Sequence, residues 1–145
     1  MESRTLGRKI GTINVVVLKA RILPNKQGLR KQCSYCVLEL NGETRRINVV
    51  NDVGDYIEWN EELQFPIYEG ANDEKVITLS CHAEDPVQPT LIGERNVSLN
   101  NAFLSGKSDG WFGLMRKNRH VGEIYLKITF RLEVRRLTGI ISGRI

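Results

Sequence analysis

Apolar and polar residues alternate along most of this chain. In "GTINVVVLKARILP", residues 11–24, Ile13, Val15 and Val17 stand against Asn14 and Lys19, which predicts a half-buried strand running to Pro24. "SYCVLEL" sets Cys36, Leu38 and Leu40 against Val37 and Glu39, then turns at Asn41-Gly42, the strongest short hairpin dipeptide. "ETRRINVV" is the return strand, and "IEWNEELQFPI" predicts a further short strand that ends at Pro66. In "KVITLSCHA", Ile77, Leu79 and Cys81 share one face while Thr78, Ser80 and His82 share the other. "LIGERNVSL" and "DGWFGL" follow. "GEIYLKITF" closes the set, with Ile124, Leu126 and Ile128 inward and Tyr125, Lys127 and Thr129 outward.

About eight short strands with turn signals between them predict an all-β fold, an eight-stranded antiparallel β-sandwich. The one plausible helical turn is "NNAFL", residues 100–104. At 145 residues and 16.5 kDa, a single domain is expected, large enough to bury a real core. The organisation expected is a leader over 1–10, the folded domain over 11–130, and a basic extension or linker over 131–145. That last segment, "RLEVRRLTGIISGRI", carries four arginines and one glutamate around scattered aliphatics. No apolar stretch approaches eighteen residues, and "MESRTLGRKIG" has no apolar run behind its basic residues, so neither a span nor a secretory signal is expected.

Charge sharpens the picture. The net charge is +4, but residues 1–50 carry ten Lys/Arg against three acids, residues 51–94 one against eleven, and residues 95–145 ten against three. A surface polarised in this way offers basic regions to anionic partners. The acidic centre argues against a continuous phosphate track, so nucleic acid is not an expected partner. Three cysteines are odd in number and too few for a disulfide scaffold, which favours a reducing compartment.

Four ordered motifs, spanning about residues 10–130, resemble the C2 domain family. "GTINVVVLKARILP" resembles its opening strand, "WNEELQFPI" its W-N-E-x-F-x-F strand, and "LIGERNVSL" its F-I-G loop. "DGWFGLMRKNRHVGEIYLKITF" resembles its closing hairpin. The resemblance implies the type II strand order, because the Ile13 strand comes first and the Gly122–Phe130 strand last. It also places "QCSYCVL" where a calcium-binding relative has S-D-P-Y-V-K-V.

Calcium takes six to eight oxygen ligands, several of them aspartates on three loops at one end of such a sandwich. Carried over by the resemblance, the first-loop positions fall on Gln27 and Cys33. The third-loop positions fall on His82 and Glu84, or on Ala83 and Asp85 if strand alternation sets the register. The last falls on Thr90. One carboxylate remains where about five are expected, so the resemblance implies a domain that works without calcium.

In place of acids, the first loop, "PNKQGLRKQ", carries Lys26, Arg30 and Lys31 around Gly28 and Leu29. Arg45 and Arg46 lie near the position of the basic patch through which C2 domains hold phosphoinositides. These six residues, Lys26, Leu29, Arg30, Lys31, Arg45 and Arg46, are the expected lipid- or partner-binding set, each cation contributing about 1 kcal/mol toward an anionic membrane. Solvated surface charge is the plainer reading of the same residues.

Cys33, Cys36, Cys81 and either His82 or His120 make a nominal Cys₃His zinc set. A structural zinc site normally pairs its C-x-x-C with a second close-spaced pair, and Cys36 and Cys81 occupy core-facing positions, so no metal is expected. No glycine-rich phosphate loop occurs, neither histidine has a nucleophile at a diagnostic spacing, and no cofactor or enzymatic activity is expected.

"LPN" at 23–25, Lys31-Gln32, "EELQFPI" and "GEIYLKITF" together resemble the fungal ingression-protein type of C2 protein. That resemblance implies a cytoplasmic adaptor, peripheral at the plasma membrane of the division site. Its implied partners are anionic phospholipid, held weakly, and contractile-ring and septum-synthesis proteins. The alternative is a purely protein-binding module. With four prolines and no proline-rich run, the chain corresponds to the C2 part of such a protein.

Overall fold

Asn41 and Gly42 both adopt left-handed backbone, with φ of 52° and 85°, so the expected hairpin forms with the tight turn whose twist matches its strands. The structure, a computed structural model, describes residues 7–23, 33–49, 52–53, 56–69, 75–84, 87–88 and 90–133. Its strands are β1 (Lys9–Ile22), β2 (Tyr35–Leu40), β3 (Glu43–Asn48), the two-residue β4 (Asp52–Val53), β5 (Tyr56–Tyr68), β6 (Val76–Ala83), β7 (Thr90–Ser98), β8 (Lys107–Arg116) and β9 (Arg119–Leu132). One short helix, α1 (Asn100–Ser105), falls on the "NNAFL" segment. No helix among the described residues is long and apolar enough to cross a membrane.

The strands run in the order β3-β2-β6-β7-β8-β9-β1-β5-β4, every pairing antiparallel. β7 and β8 meet through the single pair Glu94–Met115. The order therefore divides there into two layers, β3-β2-β6-β7 and β8-β9-β1-β5, which form a nearly closed sandwich. The first and last long strands lie side by side, as the type II order requires.

Alternation decides what the sandwich encloses. Cys36, Leu38, Leu40, Ile77, Leu79 and Cys81 point in from one layer, and Ile13, Val15, Val17, Ile124, Leu126 and Ile128 from the other, all buried. Each of the larger side chains removed from water contributes about 1.5–3 kcal/mol.

Two strands run further than alternation predicts. β5 does not stop at Pro66 but continues to Tyr68, with Pro66 opposite Thr12 of β1. A proline fits there because β5 pairs on its other side only at Tyr56 and Ile57, so no ladder partner is deprived of an N–H. β8 extends past "DGWFGL" to Arg116 and turns through Lys117 and Asn118, both with positive φ.

The glycine of the "LIG" segment has a packing reason. A Cβ on Gly93 would lie 2.6 Å from the Val121 methyl Cγ2 and 3.2 Å from Leu114 Cβ. The absence of a side chain lets β7 approach β8 and β9 where the two layers join.

Candidate functional site

The segment from Cys33 to Tyr35 enters the sandwich between two strand ends. Ser34 donates its N–H to the His82 carbonyl, and Val49 donates to the Ser34 carbonyl, both at 2.8 Å. Glu84 donates its backbone N–H to Ser34 Oγ at 2.9 Å. These bonds tie the start of β2 to the ends of β3 and β6. Cys33, Tyr35, His82 and Glu84 thus gather at one end of the described sandwich.

On the outer face of this layer, Tyr35 is directly opposite His82, and the two rings stack with centroids 4.9 Å apart. His82 Nε2 shares a hydrogen bond with Ser80 Oγ at 2.9 Å. The Arg46 guanidinium covers the other side of Tyr35, 3.7 Å from the ring centroid, and donates through Nε to Asn48 Oδ1 at 2.9 Å. A cation and two rings thereby form a row across β3, β2 and β6. In the sequence Arg46 and His82 stand out for separate reasons. Their meeting through Tyr35 depends on strand register, which alternation alone does not supply.

Arg45, one residue earlier, points to the opposite side of the sheet. Its guanidinium lies 4.9 Å from the Phe65 ring and donates to the Gln64 carbonyl from Nε and Nη2, at 3.1 and 2.9 Å. It also pairs with Glu43 at 3.2 Å. Arg45 and Arg46 therefore do not share a surface. Lys26, Leu29, Arg30 and Lys31, the other four members of the expected binding set, lie outside the described residues.

The positions that would hold calcium are equally divided. Gln27 and Asp85 lie outside the described residues. Cys33 is 1% exposed, within the core. His82 is engaged in the aromatic row. Thr90 opens β7 opposite Ala83 and is half-buried. Among the described positions Glu84 alone bears a carboxylate, and it is exposed.

The C-x-x-C segment does converge with the third cysteine. Cys33 Sγ is 4.0 Å from Cys36 Sγ, Cys36 Sγ is 3.0 Å from Cys81 Sγ, and all three sulfurs lie within 4.8 Å of one another. Cys36 and Cys81 face each other across β2 and β6, and Cys33 also contacts the Tyr35 carbonyl at 3.6 Å. Neither histidine joins them: His82 follows Cys81 on β6 and so points to the other face, and His120 packs beside Gly113 on β8. Hydrogen bonding with Cys33, together with burial, holds the Cys36 and Cys81 thiols well above the ordinary value of 9.0. Such thiols stay protonated at neutral pH and are poor nucleophiles.

A second row, absent from the sequence reading, crosses the outer face of the other layer. Trp111 on β8 meets Tyr125 on β9 edge-to-face at 5.3 Å, and Lys19 Nζ of β1 lies 5.5 Å from the Trp111 ring. Trp111 remains 42% exposed. The alternation of β9 did place Tyr125 outward, but the positions of Trp111 and Lys19 beside it required the pairing of three strands.

Comparison with known proteins agrees with this architecture. The family model described as "C2 domain" matches residues 11–114. The chain is 29% identical over 121 residues to ingression protein fic1 of Schizosaccharomyces pombe, covering 83% of this chain and 44% of that protein. It is 25% identical over 133 residues to the 16 kDa phloem protein 2 of Arabidopsis thaliana, covering 90% and 88% of the two. The chain thus spans less than half of the ingression protein and most of the plant protein. Among solved structures, a two-domain fragment of extended-synaptotagmin 2, built of its first and second C2 domains, superposes with a TM-score of 0.69 at 18% identity, over 90% of this chain and 44% of that one. With its fold and most of its length matched, the chain belongs to the C2 domain family.

Proposed function

We propose that this C2 domain is a non-enzymatic, calcium-independent adaptor at the plasma membrane of the division site, coupling membrane ingression to septum formation through weak contact with anionic phospholipid. The observation that carries the reading is Arg46, held outward over Tyr35 at 3.7 Å, at the start of β2, which follows the basic first-loop sequence along the chain. Contact with Tyr35 and the Nε bond to Asn48 position the guanidinium, and its Nη groups are the donors for a phosphate. The reading also assigns Lys26, Arg30 and Lys31 of the first-loop sequence to the lipid, with Leu29 among them as its apolar residue. Similarity to a fungal ingression protein supports the cellular setting. Glu84 as the sole carboxylate at the described ligand positions supports independence from calcium.

Sedimentation with phosphoinositide vesicles, in chelator and in calcium across a salt series, tests this reading. Binding should ignore the chelator and weaken with salt. Charge reversal at Lys26, Arg30 and Lys31 should reduce it while the domain stays folded. Absence of binding even at low salt would remove the lipid from the proposal.

Trp111 favours a second reading, a protein-binding module without lipid contact that engages a septum synthase or ring component. An exposed tryptophan beside Tyr125 and Lys19 has the composition of a protein-interface centre. Under this reading Trp111→Ala weakens partner capture, and Arg46→Ala leaves it unchanged.

A further inference from the structure

All three cysteines of the chain meet at one point in the core, although Cys81 is 45 residues from Cys36. The geometry points to a metal site there, a three-thiolate site for a soft monovalent d¹⁰ cation, Cu(I), formed by Cys33, Cys36 and Cys81.

A metal with three thiolates at about 2.3 Å in a plane sets the sulfurs about 4.0 Å apart. The Cys33–Cys36 edge already measures 4.0 Å. The Cys36–Cys81 edge must open from 3.0 Å, a change of about 1 Å that side-chain rotation at two facing strand positions can supply. The donors are all sulfur, and Cys33, Cys36 and Cys81 are no more than 1% exposed.

Ligand number and softness select the ion. Among the described residues no histidine or carboxylate belongs to the cluster, and its surroundings are apolar. Zinc closes its structural sites with four ligands, and calcium or magnesium requires oxygen. Thiolates favour Cu(I) and zinc among the common ions, and with zinc wanting a fourth ligand the three sulfurs suit Cu(I), which accepts three-coordination. Binding sends thiol protons to solvent and moves no electron. Because Cys33 begins the tied segment at the sandwich end while Cys36 and Cys81 belong to adjacent strands, an ion here would fasten that end to both strands.

Titration of the full chain, under argon, with Cu(I) supplied as its bicinchoninate complex tests the site. The chain should withdraw one Cu(I), and its melting temperature should rise, since only the folded chain presents the three sulfurs together. X-ray absorption should then show a single shell of three sulfurs near 2.3 Å, a measurement on the unmutated chain that does not depend on variants folding. Cys33→Ser, at the edge of the core, should lower the affinity more than about 100-fold while the metal-free melting curve stays cooperative. The proposal is overturned if no copper is withdrawn, if nitrogen or oxygen neighbours dominate the spectrum, or if Cys33→Ser binds as tightly as the unmutated chain. Zinc supplied alone and held one-to-one against nitrilotriacetate would also overturn it, by demanding a fourth ligand.

Discussion

Arg45 donates two hydrogen bonds, of 3.1 and 2.9 Å, to the carbonyl of Gln64, across the gap between β3 and β5. β3 ends the strand order at one side, so this side chain takes the place of a backbone ladder and nearly closes the sandwich. Hydrogen bonds from a charged donor contribute about 1.5–3 kcal/mol, and Arg45→Ala should lower stability by that amount in urea denaturation. Arg46→Ala, whose partners are all on the outer face, should change stability by only about 0.5 kcal/mol. Vesicle binding should show the reverse order. Equal stability losses at the two positions would mean that Arg45 does not close the gap.

Asn60 has φ of 54°, within a bulge where Val17 pairs with Glu61 and Lys19 with Glu58. Trp59 and Asn60 are the unpaired residues on β5, opposite Leu18 on β1. Asparagine tolerates left-handed backbone, whereas a β-branched residue is strongly disfavoured there. Asn60→Gly should therefore be neutral within about 1 kcal/mol, and Asn60→Val should cost about 1–3 kcal/mol. Thermal melting of the pair measures the difference. A valine variant as stable as the glycine variant would show that the bulge can relax.

At Gly122 the constraint is proximity. A Cβ there would lie 2.5 Å from the Arg21 carbonyl oxygen and 3.2 Å from Ile22 Cα, both backbone atoms of the paired strand. Backbone cannot give way as a flexible side chain can, so β1 and β9 must separate locally. Gly122→Ala should cost about 1–3 kcal/mol, the range of overpacked cores. Hydrogen exchange should show the loss concentrated at the β1–β9 pairing around Ile22.

Much of the fold could be read because one face of each strand is buried, and a period of two then appears directly in the letters. Ile77, Leu79 and Cys81 were legible in this way, as were Ile124, Leu126 and Ile128. Pro66 misled because a proline reads as a strand end unless its neighbour across the sheet is known to be absent. The site was legible only as single residues. Cys33, Cys36 and Cys81 could be named as a set, but their convergence within 4.8 Å depends on β2 pairing with β6 in one register. Arg45 and Arg46 look equivalent in sequence, yet strand alternation sends one to close the sandwich and the other to the surface.

The same cysteines make stability depend on pH in the metal-free protein. Hydrogen bonding with Cys33 and burial hold the Cys36 and Cys81 thiols well above 9.0 in the folded chain, while the unfolded chain leaves them at ordinary values. Below that value both states keep their protons, and these groups add no pH dependence. Above it the unfolded chain ionises and the folded chain does not, so unfolding releases protons and rising pH favours it. The slope is at most about 1.4 kcal/mol per pH unit for each thiol. Urea midpoints measured from pH 7 to 10 should fall above pH 9, and Cys81→Ala should fall less steeply than the unmutated chain. Parallel curves for the two proteins would assign the alkaline loss to other groups and would mean that the buried thiols ionise without resistance.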